Sequence, residues 1–121
     1  MLDKTIIQSI IEINHAYLLS HFLRRKCGRY LRYIERKHHR VLKEAIEEQL
    51  TYEPLTETRN RKRRDPPDVY DADWELRCGP NNSLRVLYRV DVDESRNVGE
   101  VIILAIGIKE RDRLLIAGEE Y

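Results

Sequence analysis

The stretch from residue 74 to 108, WELRCGPNNSLRVLYRVDVDESRNVGEVIILAIGI, constrains the fold more than any other part of the chain. Trp74, Leu76 and Cys78 alternate with Glu75 and Arg77, and a period of two marks a strand with one buried face. Gly79 to Ser83 then supply turn chemistry, because Gly and Asn tolerate positive φ and Pro fixes φ near the turn value. The next run places Leu84, Val86, Tyr88 and Val90 on one side and Arg85, Leu87, Arg89 and Asp91 on the other. Beyond the polar residues 93–97, residues 98–108 are almost wholly apolar, the pattern of a strand covered on both faces. The expectation is a three-stranded antiparallel meander. Its core should draw on Trp74, Leu76, Val86, Tyr88, Ile102, Leu104 and Ile106.

An apolar sheet face needs a cover, and the segment before the meander offers one. Tyr30, Leu31, Tyr33, Ile34, Val41, Leu42, Ala45, Ile46 and Leu50 form an apolar stripe over residues 29–52, broken at 36–39. That pattern predicts two helices forming a hairpin, ended by Pro54. Residues 3–23 carry Ile6, Ile7, Ile10, Ile11, Tyr17, Leu18 and Phe22 at helical spacing, yet residues 16–22 equally suit an edge strand. Both alternatives stand. Residues 55–73 read as a loop, since Pro66-Pro67 forbids helix and the basic residues repel one another into solvent.

The chain of 121 residues suits one domain, 1–121, with one modest core. Its 22 basic and 21 acidic residues nearly cancel, so the distribution carries the information. Residues 24–40 hold eight Lys or Arg and one acid, Glu35, and residues 59–64 are basic at five of six positions. Such segregation suits a polyanionic partner, and Arg or Lys on a loop neutralise phosphates without reading sequence. Equally, it suits solvated helix faces and a charged loop. Arg85, Arg89 and Lys109, on or beside adjacent strands, could converge on one sheet face, or simply pair with Glu75 and Asp91. Cys27 and Cys78 are too few for a disulfide framework and read as reduced thiols of a cytoplasmic protein. His38-His39 has no supporting carboxylate or thiol pattern and reads as exposed polar residues, so neither metal nor cofactor is expected. No apolar run reaches the roughly 20 residues of a membrane span.

From about residue 40 to 120 the chain resembles the RelE/ParE superfamily of toxins from type II toxin–antitoxin systems. The resemblance rests on VLKEAIEEQLTYEP, TETRNRK, WELR, RVLYRVD and VIILAIGIKERDRLLIAGEE, which follow in family order. It implies an α+β fold: an N-terminal strand or helix, a helical hairpin, then a three-stranded antiparallel β-meander, with residues 1–15 an N-terminal extension. The function it implies is translation inhibition by ribosome-dependent, metal-independent mRNA cleavage, with a cognate antitoxin, the ribosome and mRNA as partners and no membrane. By position, Arg85, Lys109 and Arg77 are the catalytic candidates. Arg59, Arg61, Lys62, Arg63, Arg64, Arg89 and Arg111 are the RNA-binding candidates. Leu115 stands where a tyrosine is common in the family and Ile108 where a histidine is frequent. A gyrase-targeting toxin, or an inactive relative that acts only by binding, is therefore the alternative.

Overall fold

In the computed structural model, residues 18–20, 29–65, 70–95 and 98–120 are described. The strands of the central stretch form where alternation puts them: β3, Trp74–Cys78, β4, Leu84–Asp93, and β5, Val98–Glu110, each antiparallel to the next. The turn between β3 and β4 needs its glycine. Gly79 takes φ 76°, and a Cβ there would lie 2.5 Å from the Leu84 side chain. Asn81 and Asn82 follow with φ of 55° and 53°, the left-handed region that asparagine tolerates.

The expected architecture, a helical hairpin on a three-stranded meander, is overturned. The described residues are mostly sheet. Besides the three central strands, they include β1, Leu18–Ser20, β2, Arg61–Arg63, β6, Arg113–Ile116, and β7, Glu119–Glu120. Six of the seven run in the order β2-β3-β4-β5-β6-β7, all antiparallel. β1 lies parallel to β5 at residues 100–102, on the edge that β6 occupies at 107–110. The strand alternative for residues 18–20 is the one adopted, while the remainder of 3–23 falls outside the described residues apart from these three.

Among the described residues a short helix, α1, His39–Leu50, covers the sheet, burying Leu42, Ile46 and Leu50 at i, i+4 and i+8. Where the second arm of a hairpin was expected, residues 29–31 are helical, 32–33 turn, and Arg36–His38 make a single 3-10 turn. The apolar stripe does not become a second long helix because residues 30–34 turn back instead, with Tyr33 N–H donating to Tyr30 O and Ile34 N–H to Leu31 O. Ile34 is still buried, so the apolar pattern reported burial correctly and periodicity wrongly. His39 is half-buried rather than exposed, its Nε2 lying 3.0 Å from Leu31 O and 2.9 Å from Ile34 O. The ring ties this turn to the start of α1.

Two apolar clusters flank the sheet. Beneath α1 lie Trp74, Leu76, Cys78, Leu84, Val86, Tyr88, Val101, Ile103 and Ile106. The opposite face buries Ala72, Leu87, Ala105 and Ile116. Ile102 and Leu104, expected in the main core, are only half-buried. A bulge explains the error: Leu87 pairs with Ala105 but Tyr88 pairs with Ile103, leaving Leu104 as the extra residue on β5. One extra residue inverts the parity of a strand, so Val101 and Ile103 face α1 where Ile102 and Leu104 would have done so without it.

Candidate functional site

Alternation gives each strand one face towards α1 and one away from it. On the face away from α1, β3 presents Glu75 and Arg77, β4 presents Arg85, Leu87 and Arg89, and β2 presents Lys62. Arg77 and Arg85 are direct cross-strand partners. Like charges in that position destabilise a sheet unless something neutralises them.

Glu75 does so. It is 3% exposed, and its carboxylate collects three guanidiniums. Arg64 Nη1 donates to Oε1 at 2.5 Å, and Arg77 Nε and Arg85 Nη1 each donate to Oε2 at 2.8 Å. Burial by itself would raise the carboxyl's pKa. The hydrogen bond from Arg77 and the charges of Arg77, Arg85 and Arg64 outweigh it, and the pKa lies below its ordinary value of 4.5. Arg85 is fixed at a second point, its Nε donating to Asn82 O at 3.0 Å. The three side chains differ in access to water: Arg85 is 12% exposed, Arg64 25% and Arg77 38%. Three guanidiniums thus share one buried carboxylate.

The other candidates divide by strand parity. Lys62 stands opposite Glu75 on β2 and shares this face. Gly107 pairs with Arg85, and Lys109 follows two residues on, exposed and on the same face. Its backbone N–H donates to Ser83 O at 2.7 Å, while among the described residues its ammonium makes no ion pair. Arg89 also shares the face but spends its charge on Asp71, at 3.2 Å, and on Asp91, at 3.3 Å. Arg59 is exposed just before β2, and Arg111 sits in the β5–β6 turn with φ 57°.

Arg61 and Arg63 point the other way, towards α1. Arg61 is 4% exposed and works as a clamp on the helix end: Nη1 donates to Gln49 O at 2.9 Å and to Gln49 Oε1 at 2.8 Å, and Nε to Thr56 O at 2.8 Å. A cation against the last carbonyls of a helix offsets the negative end of its dipole. Arg63 lies over Trp74, 6.0 Å from the ring centroid. The segment expected to be a solvated loop is therefore a short strand with arginines bound on both faces. Loop expectations failed here because guanidiniums can be satisfied by backbone carbonyls, which charge counting does not register.

Burial pushes the Cys78 thiol up to about 11 against the opposing charge of Arg85, which leaves it a poor nucleophile at neutral pH. Among the described residues no group of His, Cys, Asp or Glu is placed to hold a metal ion. No helix there is long and apolar enough to cross a membrane. A cavity of about 310 Å³ opens beside α1, with Glu44 and Glu48 from the helix and Arg77 from β3 in its wall. The arginines that converge are on the Glu75 face. Sequence reasoning named Arg77, Arg85 and Arg64, and offered Glu75 as a pairing partner, but not as the residue that gathers all three. The only available signal was a lone acid on a strand among basic neighbours. No family model, curated protein or solved structure matches the chain.

Proposed function

We propose that this protein acts on RNA as the toxin of a type II toxin–antitoxin pair, inhibiting translation in the cytoplasm by cleaving mRNA on the ribosome. The observation that carries the reading is the convergence of Arg77 and Arg85, with Arg64, on one buried carboxylate at an accessible sheet face. Guanidiniums held at fixed positions stabilise charge that develops on a phosphate without reorganising. In the proposed reaction the O2′–P bond forms and the P–O5′ bond breaks. Arg77 and Arg85 hold the phosphate oxygens, the 2′-hydroxyl proton leaves to solvent, and Lys109 supplies a proton to the 5′-oxygen. Lys62 and Arg59 suit neighbouring RNA phosphates. A cognate antitoxin would cover this basic face with acidic side chains.

A second reading, a relative that acts by binding alone, draws on one observation: the groups that set the Glu75 carboxylate's charge are the arginines Arg77, Arg85 and Arg64, which bind a phosphate without supplying a base. Inducing the protein in a bacterial host and following message decay, translation and DNA supercoiling separately distinguishes the two. Message decay that Arg85→Ala abolishes is the expected result. Altered supercoiling with intact message refutes cleavage.

A further inference from the structure

The Glu75 carboxylate does more than neutralise charge, because of where its partners sit. Arg77 and Arg85 are attached to directly opposed positions of β3 and β4, and both donate to the same oxygen, Oε2. Two guanidiniums brought to one oxygen are held side by side, against a repulsion that would otherwise splay them apart. Arg64 takes the other oxygen from the β2 side, which closes the ring of donors. The bond from Arg77 uses Nε, and among the described residues no hydrogen bond engages its Nη groups. Arg85 uses Nε on Asn82 O and Nη1 on Glu75. Arg77 remains over a third exposed, so the clamped pair is reachable from solvent.

We propose that Glu75 is a positioning residue: it fixes Arg77 and Arg85 as a paired clamp for the two non-bridging oxygens of one RNA phosphodiester. The inference rests on the RNA-cleaving reading for its kinetic consequence, but the clamp itself does not. Glu75 lowers the cluster's charge while ordering it, so its removal acts on affinity and on turnover in opposite directions. A merely structural residue would lower both together.

The experiment compares wild type, Glu75→Gln and Glu75→Asp on a short single-stranded RNA, with ribosomes present for turnover and thermal melting as a check on folding. For Glu75→Gln, RNA affinity should hold or tighten, because one negative charge is gone. Turnover should fall by about 10²-fold, the order expected for misplaced catalytic groups. Glu75→Asp keeps the charge but is one methylene short, and should recover part of the turnover. If Glu75→Gln does not fold, the Asp variant decides alone, with an expected loss of about tenfold in turnover at unchanged affinity. Turnover equal to wild type, or affinity and turnover falling in the same proportion, overturns the proposal. If the wild type itself leaves RNA intact, the cleavage reading falls, and the clamp is then judged by the arginine Nε–H signals in NMR. Sharp Arg77 and Arg85 signals, each shifted from the free-guanidinium position, that broaden or move to that position in Glu75→Gln, or in Glu75→Asp should the Gln variant not fold, support it. Signals indifferent to the substitution overturn it.

Discussion

Arg61 distinguishes a structural arginine from an RNA-docking one, and its loss should be felt in stability. Replacing it with Met keeps most of the side-chain volume and removes the guanidinium. Three hydrogen bonds disappear, to Thr56 O, Gln49 O and Gln49 Oε1, each between 2.8 and 2.9 Å. Gln49 can turn its amide to solvent, but the two backbone carbonyls stay where the chain holds them. At these part-buried carbonyls a hydrogen bond from a charged donor contributes about 1.5–3 kcal/mol. Losing a cation at a helix C-terminus adds about 0.3–1 kcal/mol. The ion pair to Glu53, at 3.6 Å, adds little because Glu53 is mostly exposed. The total is about 3–5 kcal/mol, a large part of the roughly 5–15 kcal/mol that holds a domain folded. For a chain of this size that corresponds to about 10–20 °C in Tm. Thermal melting followed by circular dichroism measures it, with Arg59→Gln as an exposed control. A Tm within about 2 °C of wild type for Arg61→Met would refute the clamp on α1.

The bulge in β5 gives a parity test: Ile103→Ala should cost about 2–5 kcal/mol and Ile102→Ala clearly less, and equal losses in chemical denaturation would contradict the register. Tyr88→Phe removes the hydroxyl that donates to Pro54 O at 2.5 Å in a fully buried site. It should destabilise by about 1–3 kcal/mol in the same assay, and a neutral result would deny that the bond holds the chain after α1 against the sheet. Glu75 has a folded pKa below 4.5, so its contribution is present above that pH and is lost as pH falls through the folded value. The stability difference between wild type and Glu75→Gln should therefore shrink as pH drops from 4.5, and a constant difference in acid titrations would contradict the ion cluster.

Local chemistry was legible where one residue decides one conformation. The alternation of 74–78 and 84–90 and the glycine and asparagines at 79–82 placed two strands and their turn from the residues alone. The hairpin arm was not legible, because Tyr30, Leu31 and Ile34 are apolar for burial in a turn, and burial without helical periodicity looks the same in a short window. The bulge had no local signature: it arises from the pairing of β4 with β5, a long-range property. The β6–β7 hairpin did carry one. Ala117 and Gly118 take φ of 53° and 79°, the two positive values that a tight hairpin turn requires, and a two-residue turn ending in glycine between LLI and EE was readable as such. At the site, Arg77 and Arg85 were visible as neighbours on one face. Glu75 was visible only as a partner for one arginine, because a count of charges does not reveal that one buried carboxylate can gather three.

If RNA phosphates meet the Glu75 face as proposed, the salt dependence of RNA affinity shows it most directly. Each lost phosphate contact on a single strand should lower the slope of log K against log salt by roughly 0.7. The double variant Arg77→Gln, Arg85→Gln, which removes the one phosphate the pair clamps, should therefore lower it by about 0.7, while Arg63→Gln, on the face of Trp74 and α1, leaves it unchanged. An unchanged slope in the double variant, or an equal loss in Arg63→Gln, would contradict the account.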